Sequence, residues 1–229
     1  LPTERTLENA VANAIGFFAD SREPFALLWL DVMHRRFGIE PFADALARFD
    51  SVLGTRPKEL ALLRVFRRMA ARDNPLRLED MDAVTHPSDR LVVCALYCDR
   101  LRLSPSFFTG MIEQAVQAGG YYLTHALLAV IWIQEYGGEL GLAAELVDNV
   151  YRANAALIGA EPRTVNDLKL EAAAFLQLAG QGARVDRAFV DGVLLTQQRD
   201  GGWGKARDGR SDWHATILGL LLLLHLGPR

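Results

Sequence analysis

Two histidines and a glutamate stand at matching places in three apolar segments of this chain. His125-Ala126, Glu171-Ala172 and His214-Ala215 each fall about one turn inside such a segment, where polar side chains are uncommon and need a reason to be present. Two imidazoles and a carboxylate form a donor set for a divalent metal, either Zn²⁺ with an open position for water or non-haem Fe²⁺. On zinc, that water would be acidified to a pKa of about 7 and become a nucleophile for hydrolysis or hydration. Asp212, two residues before His214, is the nearest carboxylate to serve as a partner or base. The expected site therefore has His125, Glu171 and His214 as metal ligands and Asp212 as the catalytic carboxylate. Tyr122, Trp213 and Cys94 line a cavity beside them. The competing arrangement is metal-free, with Glu171 accepting hydrogen bonds from one or both imidazoles, or pairing with Lys169, an Arg or a helix N-terminus.

Such a site requires helices that start at one level, and the sequence supplies candidate helices in pairs. Thr3 or Thr6 caps a segment running through about Ala19, SREP breaks it, and Pro24 opens FALLWLDVMHRRF, which Gly38 ends. PFADALARFDSVL stops at Gly54, and Pro57 leads KELALLRVFRRMAAR up to Asp73-Asn74-Pro75. LRLEDMDAV precedes Pro87, Ser88 and DRLVVCALYCDRL. Ser104 and Pro105 begin SFFTGMIEQAVQA, and Gly119-Gly120 turns the chain into YYLTHALLAVIWIQEY. Gly137-Gly138 introduces ELGLAAELVDNVYRANAAL, with TVNDLKLEAAAFLQLA as its partner. RVDRAFVDGVLLTQQ and a last helix capped by Ser211 complete about six pairs.

Apolar residues recur at three- and four-residue spacing, and strand-like alternation is scarce, so the fold expected is all-α. In each pair the second helix is the more uniformly apolar, which suits an inner layer. Repeats of about 40 residues fit a ring of hairpins or an open α-solenoid. A solenoid should end in a polar capping helix, whereas this chain ends in its most apolar one. The expectation is a closed α/α toroid formed as a single domain over residues 1–229.

The stretch QQRDGGWGKARDGRSDWHATILGLLLLLHL, from Gln197 to Leu226, joins a helix end, a Gly-rich loop around Trp203 and that apolar helix. Over these roughly thirty residues it resembles the repeat of terpenoid cyclases and protein prenyltransferase β subunits, which are α/α toroids with a central cavity. In the prenyltransferases the final inner helix opens with an acidic residue and a His that binds the catalytic zinc. The resemblance of SDWHAT to that opening implies the ligand role for His214. It also implies that Trp203 packs its loop against a neighbouring helix. The Asp-x-Cys that brings the other zinc ligands there, and the Asp-rich acid motif of class II cyclases, have no counterpart in this sequence.

Composition sets outer limits. A net charge of −3, a pI near 6.0 and scattered basic residues give no footprint for nucleic acid. The apolar run Ile217–Leu226 is too short to span a bilayer and is broken by Gly219 and His225, so it reads as core. Cys94 and Cys98, one helical turn apart, suit a shared helix face better than a structural disulfide, and they leave the compartment open. The chain begins at Leu1 without an initiator Met, which is compatible with a removed upstream segment. No P-loop, dinucleotide-binding glycine pattern, nucleophile elbow or His-Glu-x-x-His occurs. Two functions follow: a metal-binding protein or metal-dependent enzyme acting on a small molecule or peptide in a central cavity, or a helical scaffold holding a peptide or partner protein.

Overall fold

Proline and glycine punctuation sets where helices begin and end in the computed structural model, which describes residues 4–138, 140–206 and 209–227. Thr3, one of the two candidate caps, lies outside them. Among the described residues there are thirteen α-helices. In chain order they are α1 (Glu4–Phe17), α2 (Pro24–Phe37), α3 (Ala45–Val52), α4 (Leu60–Phe66), α5 (Leu78–Asp82), α6 (Pro87–Leu96), α7 (Cys98–Leu101), α8 (Pro105–Ala118), α9 (Gly120–Tyr136), α10 (Ala144–Gly159), α11 (Asp167–Leu178), α12 (Arg187–Thr196) and α13 (Trp213–Leu224). The only strands among the described residues are β1 (Trp203–Gly204) and β2 (Ser211–Asp212), paired antiparallel with Trp203 opposite Asp212. The chain is all-α.

Pro24, Pro87 and Pro105 occupy first-turn positions, where a missing N–H is harmless. Gly38 closes α2 in the left-handed conformation with φ 67° and donates its N–H to His34 O. Two helices come out shorter than the apolar spacing predicts. The 58–72 segment is α-helical over Leu60–Phe66 and then tightens to a 3₁₀ turn at Arg67–Met69. The 89–101 segment breaks at Tyr97, which separates α6 from α7. Tertiary bonds account for both. The buried Tyr97 hydroxyl donates to Val65 O at 3.1 Å and accepts from Asn74 Nδ2 at 2.8 Å.

The chain divides into two compact units, residues 1–49 with 155–229 and residues 50–154. In the first unit α13 is the core element: Ala215 to Leu223 are all buried, as expected for a helix apolar on every side. It packs against α11, α1 and α2. In the second unit α6 and α9 form the central pair, with α8 against α9.

The second unit also encloses a cation. Arg68 is 1% exposed, donates to both carboxylate oxygens of Asp99 at 2.8 and 2.6 Å, and lies 4.6 and 4.7 Å from the ring centres of Tyr97 and Tyr136. Desolvation alone would raise the Asp99 pKa, but the Arg68 hydrogen bonds and the charges of Arg68 and Arg100 outweigh it and hold the pKa below the ordinary value. A carboxylate with a depressed pKa stabilises the fold above its unfolded-state value of about 3.9 and loses that contribution as pH falls through the folded value. Asp99→Asn is expected to lower stability by about 1.5–3 kcal/mol at neutral pH and to reduce the loss on acidification. Urea unfolding of both proteins at pH 7 and in acid checks this.

Candidate functional site

The start of α13 decides where His214 points. Asp212, not Ser211, is its N-cap: Asp212 Oδ1 accepts from His214 N at 3.0 Å. Ser211 belongs to β2, where its hydroxyl donates to Asp200 Oδ1 at 2.7 Å. The short strand pairing claims the serine and moves the cap on by one residue. The other carboxylate oxygen of Asp212 lies 3.5 Å from Lys205 Nζ. The expected catalytic carboxylate therefore caps a helix and pairs with a lysine.

The neighbouring helix α11 is capped by Asn166, whose side chain accepts from Lys169 N at 2.9 Å. That start puts Asp167 and Glu171 four residues apart on one face. His214 meets both. Its Nδ1 lies 2.9 and 3.0 Å from the two Asp167 oxygens, and its Nε2 is 3.4 Å from Glu171 Oε2. Glu171 is 1% exposed and Asp167 4%, while 28% of the His214 side chain reaches solvent. Lys169 turns away from this cluster and donates to Glu161 O at 2.7 Å and Ile158 O at 3.4 Å.

Burial is the largest single influence on the His214 pKa and lowers it. The Asp167 hydrogen bond, with the charges of Glu171, Asp167 and Asp212, outweighs burial and leaves the pKa above the ordinary histidine value. The arrangement thus favours an imidazolium held between two carboxylates of one helix.

The expected three-ligand set is divided between the units, with Glu171 and His214 in the first and His125 in the second. In α9, His125 Nδ1 donates to Tyr121 O at 2.7 Å, and Nε2 lies 3.7 Å from Asp89 Oδ1 on α6. Among the described residues, no group of three or more His, Cys, Asp or Glu is placed to hold one metal ion. Trp213 is half-buried, stacks on Phe25 at 6.4 Å and meets the His214 ring edge-on at 5.3 Å. Cys94 and Cys98 are buried free thiols. Burial raises the pKa of both, Cys98 to about 11, so neither is a ready thiolate ligand or nucleophile. Tyr122 is exposed, stacks on His86 at 5.7 Å and lines a cleft of the second unit.

Asp167 is the cluster member that sequence reasoning missed. Its signal was present, since Asn166-Asp167 opens a helix and Asp167 lies four residues before Glu171. In comparisons with protein-family models, curated proteins and solved structures, nothing matches the chain.

Proposed function

We propose that this chain works as a helical scaffold for a peptide or partner protein, and that Asp167, Glu171 and His214 form a charge clamp fastening α11 to α13. The observation that supports the clamp, and with it a structural rather than catalytic use of these residues, is that both ring nitrogens of His214 face carboxylates of α11, at 2.9 and 3.4 Å. Neutral imidazole has a single N–H, whereas imidazolium has two and suits two acceptors.

A second reading has its own support. His214 Nε2 and Glu171 Oε2 are 3.4 Å apart, the spacing of two ligands that each sit about 2.0–2.2 Å from one tetrahedral ion. Asp167 on Nδ1 is the outer carboxylate that metal-binding histidines commonly have. The residues fit a divalent ion to the extent of these two donors, with further positions left to water or a bound molecule. Zinc there would supply an acidified water.

Elemental analysis of protein purified without a metal-affinity tag separates the two readings. The scaffold reading expects no stoichiometric metal and a melting temperature unmoved by zinc or chelator. Stoichiometric zinc or iron that is lost in both His214→Ala and Glu171→Gln overturns it in favour of the metal centre.

A further inference from the structure

We infer that the second unit carries a binding site for a small neutral molecule built on a single aromatic ring with one hydroxyl or amide-like group. The site is the cleft between the starts of α6 and α9 and the C-terminal half of α8, and it stands whichever reading of the His214 cluster holds. Its volume is about 170 Å³. A closed protein cavity of about 150 Å³ lined by aliphatic and aromatic side chains takes up benzene. This cleft has a similar volume but opens to solvent, so it covers one ring, and a drug-sized ligand of roughly 300 Å³ or more would project out of it.

The walls select the chemistry. Ala115 and Ala118, one turn apart on α8, open the depression because they are small, and Leu91 and Met111 add apolar surface. Covering such walls removes apolar area from water, at roughly 25 cal/mol per Å². Tyr122 supplies a flat face. Its ring stacks on His86 at 5.7 Å with 21° between the planes, and His86 Nδ1 lies 2.8 Å from the buried Ser88 Oγ. The aromatic wall is thus held before a ligand arrives, which lowers the ordering cost of binding. An incoming ring can stack against the part of Tyr122 that stays open, 37% of the residue.

Charge restricts the ligand further. No Asp, Glu, Lys or Arg is among the described residues that line the cleft. A carboxylate or ammonium entering it would lose water without gaining a counter-charge. Gln114 and Tyr122, both lining the cleft, carry an amide and a hydroxyl that can donate and accept, which suits one uncharged polar substituent on the ring.

The test is titration of the whole chain with phenol, benzoate and cyclohexanol, followed by amide chemical shifts. Phenol is expected to saturate one site and to shift residues 87–91 and 111–122. Benzoate has the same ring with a charge, cyclohexanol has the hydroxyl without an aromatic face, and each should bind at least about tenfold more weakly. Ala118→Leu fills the cleft from an exposed helical position that tolerates leucine well, so its melting temperature should match the parent while phenol affinity drops at least about tenfold. Tyr122→Leu, which removes both the π face and the hydroxyl, should weaken phenol more than cyclohexanol. Four results overturn the inference: phenol shifts that do not saturate, equal affinity in a folded Ala118→Leu protein, benzoate binding as well as phenol, or cyclohexanol binding as well as phenol.

Discussion

His214→Ala should lower the stability of the protein by about 3–5 kcal/mol at neutral pH. The substitution removes the cation from between Asp167 and Glu171, which are 4% and 1% exposed and one helical turn apart on α11. Two carboxylates left together in such a place relieve their repulsion by taking up a proton. The variant's own stability should therefore be lower at pH 7 than at pH 5, as urea unfolding at the two pH values would show. A triple variant with His214→Leu, Asp167→Asn and Glu171→Leu removes the cation and both charges together. It should recover most of the lost stability, because a buried charge cluster replaced as a whole by neutral groups of similar size is often close to neutral in free energy. A loss of less than about 0.5 kcal/mol in His214→Ala would mean that the clamp fastens nothing.

The pH dependence of the parent protein has a definite sign. The folded-state pKa of His214 is raised, against an unfolded value of about 6.5. Its contribution to stability is full below about pH 6.5 and is lost as pH rises through the folded value. His214→Ala should lack that fall. An ion bound at His214 Nε2 and Glu171 would reverse the trend, since a metal needs the imidazole neutral and its stabilisation grows as pH rises. Melting curves with and without added zinc between pH 6 and pH 9 therefore tell the two readings apart by direction as well as size.

The helical class and most helix starts were legible because they depend on local chemistry. Proline at a first turn, glycine after a last turn and the apolar period of three to four residues operate within a few neighbours, and α2, α6, α8 and α9 begin within a residue of where those signals stand. The helix end near Phe66 and the break at Tyr97 were not legible, because both depend on partners far along the chain: Tyr97 bonds to Val65 and Asn74, and Arg68 to Asp99. The site divides in the same way. Glu171 and His214 do come close on adjacent helices, although Glu171 is the fifth residue of α11 and His214 the second of α13, so they do not share the level that aligning helix starts supposed. That alignment carried no information on how separate hairpins group, and His125 falls in the other unit, with Asp89 Oδ1 3.7 Å from its Nε2. Asp167 stood outside the aligned column because it is one turn before Glu171, and in this cluster it makes the shorter contact to His214.

Trp203→Ala is the other substitution expected to have a large effect, a loss of about 3–5 kcal/mol. Trp203 is 1% exposed, and its indole N–H donates to Val193 O at 2.8 Å. Its backbone N–H donates to Thr216 Oγ1 at 3.0 Å, so one residue ties β1 to both α12 and α13. The ring lies on α13 at Gly219, where an added Cβ would come within 2.7 Å of a ring carbon. The absence of a side chain at Gly219 is thus what lets the indole reach the helix. This gives the prediction a second arm: Gly219→Ala should be strongly destabilising in the parent, although alanine is the better helix former by about 1 kcal/mol. In a Trp203→Ala background the same substitution meets no ring, and the helix propensity gain should emerge. A double-mutant cycle by urea unfolding measures this coupling. Additive losses would show that the indole and Gly219 do not share the contact, and that Trp203 stabilises its loop chiefly through the bonds to Val193 and Thr216.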